Sequence, residues 1–358
     1  MSALTCLIGM LALLVLALVL SLDRRAINWR TVGAALLLQT ALGAFVLYIP
    51  VGQSLLAAVT SAVSSVLEYA QDGIDFVFGD VGSGKLGFVF AFQVLPAIIF
   101  FSSLISVLYY FGVMQWIVRI LGGALSKLLG TSAPESLAAA TNIFIGQTEA
   151  PIAIRPFLGN MTRSELFAVM VGGLATVAGA PMAGYVAIGV ELKYLIAASF
   201  MAAPGALAMA KLLVPEDPQA SLQMDLSGLK DNSDEEAPVN VFDAAARGAT
   251  SGLMLAANVG AMLVAFIALI ALANGGLGWI GALFGAPQLS FELLLGYIFS
   301  PFAWLLGIPW SEAVAAGSFI GQKLILNEFV AYVNFMQDGA ALSEHTRAVI
   351  TFALCGFA

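Results

Sequence analysis

The chain has 358 residues, of which 60% are hydrophobic and only 10% are charged, and its mean hydropathy is +0.96. A soluble domain carries about a quarter charged residues, so this composition excludes a soluble globular protein. It predicts an all-α integral membrane protein. The formal net charge of −8 comes largely from one acidic segment, residues 216–243, and gives no indication of nucleic-acid binding.

The first 85 residues predict a scaffold of two membrane spans and one interfacial helix. Residues 3–22 form an apolar run that is long enough to cross about 30 Å of hydrocarbon. No cleavage site follows it, which argues against a secretory signal peptide. The three arginines of residues 23–30 place that loop in the cytoplasm. Residues 31–50 form the second span, and residues 52–72 alternate polar and apolar side chains, as a helix lying in the membrane interface does.

Residues 86–214 predict a first structural unit. Its elements are a span at 86–112 bent at Pro96, an interfacial helix at 113–130, a re-entrant hairpin at 135–160, a broken span at 164–189 and a span at 193–214. The hairpin is predicted because polar residues and prolines interrupt that segment around residues 146–151. Irregular backbone is tolerated at membrane depth only where protein or water covers it. Gly179-Ala180-Pro181 should break the following span, because proline removes a hydrogen-bond donor.

A mobile acidic cytoplasmic loop, residues 215–242, separates this unit from a second one at 244–358. The second unit contains a span at 244–274, a short interfacial stretch at 290–307, a second re-entrant hairpin at 311–336 and a span from 343. The final span of the unit is missing, so we expect the sequence to be incomplete at its C-terminal end.

The two units share sequence signals that indicate an internal repeat. Phe144-Ile145-Gly146-Gln147 recurs 175 residues later as Phe319-Ile320-Gly321-Gln322, and the pair Ser164-Glu165 recurs 179 residues later as Ser343-Glu344. Each unit crosses the membrane three times, so the second copy is predicted to be inverted. Inverted repeats with discontinuous helices at the bilayer midplane are typical of secondary transporters.

Two polar inserts, Gly146–Glu149 and Gly321–Lys323, mark the two predicted hairpins. The carboxylates of Glu149 and Glu328 are costly in hydrocarbon. Either they form buried ion pairs, with Arg155 or Lys323 as the partner, or they accept hydrogen bonds from a polar solute. Their neighbours Gln147, Thr148 and Asn327 offer uncharged donors and acceptors. That mixture favours a neutral, hydrogen-bonding ligand over an anion.

A small cation is suggested by oxygen groups near the first hairpin tip. These are the side chains of Asn142 and Thr176 and the carbonyls of Ile145 and Val177, where helices are expected to end. The alternative is that Asn142 caps a helix and Thr176 bonds back to its own helix. An intramembrane enzyme is disfavoured, because His345 is the single histidine and no catalytic motif is present. A carrier for amino acids or dicarboxylates is disfavoured by the lack of an arginine cluster.

Several stretches together resemble the concentrative nucleoside transporters over residues 86–358: Asn142–Pro151, Ala175–Gly179, Met182–Val186, Gly321–Lys323, Asn327–Tyr332 and Phe352–Phe357. The resemblance implies a homotrimer in the inner (plasma) membrane that imports nucleosides. Import would be coupled to sodium, or alternatively to protons, and the hairpin-bearing domain would move against a scaffold. Ala180-Pro181 departs from the Ser-Val that is usual there, which puts base contacts at that point in doubt.

The same resemblance implies roles for individual residues. Gln147, Thr148 and Glu149 would contact the nucleobase, Glu328 the ribose hydroxyls, and Phe357 the ribose side of the site. Asn142, Ile145, Thr176 and Val177 would hold the sodium ion. An Asn and a Ser that bind ribose in the family would follow Phe357 and lie beyond Ala358.

Overall fold

Helices account for every regular element in the part of the chain that the computed structural model describes, residues 3–147, 150, 154–216 and 238–356. Within these ranges, six helices are long and apolar enough to span a membrane, and a bent pair of helices makes a possible seventh. Many of their large apolar side chains are exposed, as expected where lipid rather than water is the solvent. The chain is therefore a multi-pass membrane protein.

The N-terminal part consists of α1 (Ala3–Leu20), α2 (Trp29–Tyr48) and α3 (Pro50–Phe78). The side chain of Asn28 caps α2, and Pro50 starts α3 in a first turn that needs no proline N–H. With 29 residues, α3 is longer than the predicted interfacial helix and passes the length and composition test for a span. Its position in the interface stays a prediction.

The predicted bend in the third span lies two residues before Pro96. The short helix α4 (Phe90–Gln93) ends at Val94, and α5 (Leu95–Tyr110) begins immediately after it. Pro96 occupies the first turn of α5, where the backbone N–H groups have no partner within the helix, so its missing N–H costs no helical hydrogen bond. The next helix, α6 (Val113–Leu129), follows the predicted boundaries closely.

The first hairpin region contains α7 (Ala133–Asn142) and a short 3₁₀ helix, Arg155–Asn160. It is followed by α8 (Arg163–Ala175), α9 (Gly179–Ala187) and α10 (Leu192–Leu213). The broken span is confirmed, but the break falls at residues 176–178 rather than at 179–181. Pro181 sits in the first turn of α9, so it favours a new helix start instead of forming the break itself.

The long helix α11 (Val241–Leu283) has 43 residues, about 64 Å at 1.5 Å per residue, and continues past the predicted end at residue 274. Asn274 does not end the helix, because its side chain is used in a tertiary contact. Its Oδ1 accepts from the Phe291 N–H at 2.7 Å, and its Nδ2 donates to the Glu292 carboxylate. The N-terminal part of α11, around Gly248 and Gly252, packs against α5.

The last helices are α12 (Phe291–Leu305), α13 (Trp310–Ile325), α14 (Glu328–Asp338) and α15 (Glu344–Leu354). The chain bends by 114° between α12 and α13. With 16 and 11 residues, α13 and α14 are about 24 and 16 Å long, less than the thickness of the hydrocarbon core. Half-length helices are what a re-entrant hairpin requires, although the re-entrant arrangement and the inverted repeat stay predictions.

The recurring Phe-Ile-Gly-Gln sequence does not mark equivalent positions in the two halves. Residues 144–147 follow the end of α7, whereas residues 319–322 lie inside α13, and that helix ends three residues later, at Ile325. Within the predicted second hairpin, residues 311–336, the helix break therefore follows the polar insert Gly321–Lys323 and lies at residues 326–327. The 179-residue spacing fits better, since it also separates the ends of α8 and α15, Ala175 and Leu354.

Candidate functional site

Two non-helical segments meet at one point, after α7 and between α8 and α9. The carbonyl oxygen of Phe144 accepts a hydrogen bond from the Gly179 N–H at 3.0 Å. Thr176 and Ala178 both have extended backbone, with ψ of 158° and 151°. Backbone groups at helix ends lack partners within their own helix, so this meeting point, which we call the junction, exposes polar backbone inside an apolar protein.

Asn142, the last residue of α7, lies buried at the junction with 1% of its surface exposed. Neither its Oδ1 nor its Nδ2 has a hydrogen-bond partner in the described part of the chain. The amide lies against two glycines of α8, and a Cβ added to Gly172 would be 3.2 Å from Nδ2. Within the described residues, the side chain therefore caps no helix end.

The other three predicted sodium ligands, Ile145, Thr176 and Val177, are also buried at the junction. The hydroxyl of Thr176 donates to the Gly172 carbonyl at 2.8 Å, so the back-bonding alternative is present, while its lone pairs remain available. The carbonyl of Val177 accepts from the Ser199 hydroxyl at 3.3 Å. The structure thus brings the four candidates to one place.

The predicted nucleobase contacts are only partly within the described residues. Gln147 is exposed, and its backbone packs directly onto Gly173, where an added Cβ would lie 2.8 Å from the Gln147 Cβ. Thr148, Glu149 and Phe357 lie outside the described residues. Gln147 therefore presents an amide at the surface beside the junction.

Glu328 is the first residue of α14 and is 7% exposed. The side chain of Asn327 precedes it as the helix cap and accepts from the Val330 N–H at 2.8 Å. The carboxylate of Glu328 accepts from the Tyr185 hydroxyl at 3.0 Å. The positive end of a helix stabilises a nearby anion, so this position suits a carboxylate without a cationic partner.

Lys323 does not form the ion pair with Glu328 that the sequence left open. Its Nζ donates to the carbonyls of Ala353 and Cys355 at 3.0 and 3.2 Å, and so caps the C-terminal end of α15. A lysine at that end of a helix satisfies carbonyls that lack helical partners. Glu328 is thereby left for other interactions.

Gln322 is the amide of the second polar insert, Gly321–Lys323. Its side chain forms hydrogen bonds within its own predicted hairpin. Its Nε2 donates to the Ser318 hydroxyl at 3.0 Å, and its Oε1 accepts from Asn334 Nδ2 at 2.5 Å. These bonds tie α13 to α14. Gln322 therefore stabilises the hairpin instead of presenting its amide to a ligand.

The segment after α15 also reaches the junction. Gly356 has a φ of +96°, and an added Cβ would lie 2.9 Å from the carbonyl oxygens of Leu174 and Ala175 at the end of α8. Only glycine fits so close an approach in that backbone conformation. The second half of the chain thus completes one wall of the site.

Three contributors were not identified as partners from the sequence: Tyr185, Gly356 and Ser199. The sequence gives one indication for Tyr185. A tyrosine in the apolar segment after a predicted helix break needs a hydrogen-bond partner for its hydroxyl. Its partner Glu328 is 143 residues away in sequence. No pattern in the sequence identifies that pairing.

The junction combines helix-end carbonyls with an amide that has no partner among the described residues, and the Glu328 carboxylate, which has one donor, contacts Tyr185 on α9. Oxygen atoms of this kind suit a small hard cation, and mixed donors and acceptors suit a polar, uncharged solute. In the described residues no group of three or more His, Cys, Asp or Glu side chains could hold a metal ion. The arrangement therefore fits recognition of a solute and an alkali cation.

Comparison with protein-family models gives three matches. Residues 8–81 match "Na+ dependent nucleoside transporter N-terminus", residues 91–191 match "Nucleoside recognition", and residues 194–358 match "Na+ dependent nucleoside transporter C-terminus". Together the three models account for most of the chain.

Full-length relatives agree with these matches. The chain is 52% identical to an uncharacterised transporter of Haemophilus influenzae, over 100% of this chain and 87% of the relative. It is 48% identical to the nucleoside permease NupC of Helicobacter pylori, over 100% and 86%. Among solved structures, the transporter CNTnw in an inward-facing substrate-bound state is 53% identical, with a TM-score of 0.93 over 100% of this chain and 86% of that one.

Proposed function

The chain belongs to the Na⁺-dependent nucleoside transporter family, and we propose that it imports nucleosides by sodium symport through the junction described above. Members of the family are transporters rather than enzymes, and their transport is coupled to a cation. The choice of sodium over protons, the residues of the site and the homotrimeric assembly belong to the proposal.

The unpartnered amide of Asn142 is the observation that carries the sodium site. A buried polar group without a hydrogen bond costs about 1–3 kcal/mol, and Asn142 has two such atoms. A sodium ion would satisfy Oδ1, and a water or solute oxygen would satisfy Nδ2. The Thr176 hydroxyl and the Ile145 and Val177 carbonyls would complete a shell of oxygen ligands. A proton would need a titratable acceptor, which an amide is not.

The nucleoside would bind beside this ion, with its base at the first hairpin and its ribose at the second. Gln147, Thr148 and Glu149 are the proposed base contacts. The carboxylate of Glu328 would accept hydrogen bonds from the ribose hydroxyls, and Phe357 would cover the sugar. Glu328 supports this role because it is buried, lies at a helix start and forms no ion pair with Lys323.

Transport would follow an elevator-type alternating-access cycle, in which the hairpins and broken helices move together against the N-terminal scaffold. The relative CNTnw has been solved in outward-facing and inward-facing states. Sodium and nucleoside would each increase the affinity of the other, because both bind the same closed junction and such coupling is reciprocal.

The test is uptake of radiolabelled uridine into proteoliposomes that contain the purified protein. We expect accumulation with an inward sodium gradient, none with choline in its place, and none with an inward proton gradient alone. Accumulation driven by protons without sodium would reject the sodium site. Failure of the sodium-loaded protein to bind any nucleoside in a panel of purine and pyrimidine nucleosides would reject the substrate class.

A further inference from the structure

Tyr185 is held in one orientation in the centre of the protein. It lies on α9, is 1% exposed, and its ring packs against Phe329 and Tyr332 with centroid distances of 4.6 and 4.7 Å. A side chain so enclosed has few alternative rotamers. Its hydroxyl, which donates to Glu328 Oε1 at 3.0 Å, is therefore a fixed point.

The carboxylate that Tyr185 contacts has no other hydrogen-bond donor among the described residues. Terminal torsions of carboxylate side chains are broad and weakly restricted, so the backbone alone does not define where the two oxygens of Glu328 point. One bond to Oε1 from a fixed hydroxyl removes that freedom. It leaves Oε2 without a protein partner in the described part of the chain.

We infer that Tyr185 is a positioning residue, which fixes the Glu328 carboxylate so that Oε2 meets the ribose hydroxyls of the bound nucleoside. This inference rests on the proposed function, in which Glu328 contacts the ribose. Tyr185 itself touches no substrate in this scheme. It increases the affinity for the sugar because the carboxylate is already oriented before the nucleoside arrives.

Tyr332 provides a matched control within the same aromatic cluster. It is as buried as Tyr185, and it too carries a hydrogen-bonded hydroxyl. That hydroxyl donates to the Thr351 carbonyl at 2.9 Å and lies 3.3 Å from the Cys355 sulfur, and it forms no hydrogen bond with Glu328. Replacing either tyrosine by phenylalanine removes one buried hydroxyl and keeps the ring. Only Tyr185→Phe removes the hydrogen bond to the Glu328 carboxylate.

The experiment measures equilibrium binding of uridine and of 2′,3′-dideoxyuridine to the wild type, Tyr185→Phe and Tyr332→Phe in saturating sodium. The second nucleoside keeps the base and lacks both ribose hydroxyls. We expect Tyr185→Phe to weaken uridine binding about tenfold, the range for a lost hydrogen bond to a charged group. Its binding of dideoxyuridine should change less than about twofold. Tyr332→Phe should leave the ratio of the two affinities unchanged.

The inference would be overturned if Tyr185→Phe weakened the binding of both nucleosides equally, or of neither. In both cases the affinity for the ribose hydroxyls would not depend on the tyrosine hydroxyl. Wild-type protein that binds neither nucleoside would instead reject the proposed function, so the two failures are distinguishable. If Tyr185→Phe does not fold, 3-fluorotyrosine at position 185 keeps the ring and makes the hydroxyl a stronger donor. The affinity ratio must then shift, whereas 3-fluorotyrosine at position 332 must leave it constant.

Discussion

Lys211 Nζ lies 2.7 Å from Glu135 Oε2 inside the protein, at the point where α7, α8 and α10 come together. The same ammonium contacts Glu216 and the Ser164 hydroxyl, and Glu216 in turn accepts from Thr162. These contacts hold α7, the first helix of the predicted first hairpin, to α8 and α10 at the end of α7 opposite the junction. A charge cluster of this kind keeps the three helices together as one unit.

We predict that Lys211→Met strongly destabilises the protein, because it leaves Glu135 buried without a cation. Breaking a buried ion pair by removing one partner costs about 3–5 kcal/mol. The readout is thermal stability of the detergent-solubilised protein, followed by fluorescence-detected size exclusion. Lys193→Met is the control, since the pair of Lys193 with Glu191 is about half exposed and such pairs contribute less than about 1 kcal/mol. Equal loss in the two variants would contradict a specific role for the cluster.

Asn142→Ala is predicted to abolish sodium-dependent behaviour without lowering the stability of the empty protein. The substitution removes two buried atoms that have no partner, so the unliganded fold loses no hydrogen bond. We expect the sodium-induced rise in melting temperature to disappear and the sodium concentration for half-maximal uptake to rise more than tenfold. Asn28→Ala, which removes the cap of α2, should cost about 1 kcal/mol in stability and leave sodium dependence intact. An unchanged sodium response in Asn142→Ala would remove Asn142 from the site.

Glu328→Ala is predicted to abolish uridine uptake while the protein remains folded and inserted in the membrane. The reason is the loss of the buried acceptor proposed for the ribose. Glu344→Ala is a matched control, because Glu344 is also the first residue of a helix after a capping side chain but is exposed. Uptake in the control should stay within about twofold of the wild type, as expected for a surface substitution. Retained uptake in Glu328→Ala would assign that carboxylate a structural role.

Gly356→Ala is predicted to reduce nucleoside binding by displacing the segment after α15 from the end of α8. The added methyl would meet the Ala175 carbonyl at 2.9 Å, and φ is positive there. Gly130→Ala separates these two effects, since Gly130 has a φ of +70° with open space around the added atom. Both variants should lose about 1 kcal/mol of stability from backbone strain. Only Gly356→Ala should weaken uridine binding, and equal binding in the two would exclude a role for this contact.

The re-entrant path of the second hairpin predicts that both of its ends lie on one side of the membrane. Single cysteines replacing Trp310 and Asp338, both exposed, should react with a membrane-impermeant thiol reagent from the same side of sealed vesicles. The background lacks Cys6, which is exposed. Cysteines replacing Trp29 and Tyr48, at the ends of α2, should react from opposite sides. Opposite-side labelling at the hairpin ends would show that α13 and α14 cross the bilayer.

The sequence predicts the membrane class, most helix boundaries and the existence of the break in the α8–α9 span, because hydropathy and proline act locally. It places the break three residues too late, since the exclusion of proline from helix interiors does not apply to a first turn. Phe-Ile-Gly-Gln is irregular in the first half and helical in the second, so these four shared residues do not by themselves show where a helix ends.

The candidate site was predictable in its residue types and less so in its contacts. The sequence singles out Asn142, but it does not show that the amide lacks a hydrogen-bond partner among the described residues or that it packs against Gly172, 30 positions further along the chain. An ion pair with Lys323 was one of two alternatives that the sequence left open, and the Lys323 ammonium instead contacts two backbone carbonyls. Helix breaks predicted from the sequence indicate which carbonyls lose their helical partners, but only the folded chain shows which of these carbonyls come together.

The length of α11 restricts how the protein sits in the bilayer. Even at a steep tilt of about 40°, a helix needs only roughly 26 residues to cross 30 Å of hydrocarbon. With 43 residues in α11, about 17 remain outside the acyl region. The end that carries Asp243 is held against α5, because the hydroxyls of Ser103 and Ser106 donate to the carbonyls of Ala245 and Ala244 at 2.9 and 2.8 Å. The surplus length of α11 therefore lies toward its other end, at Leu283, and not next to the acidic segment.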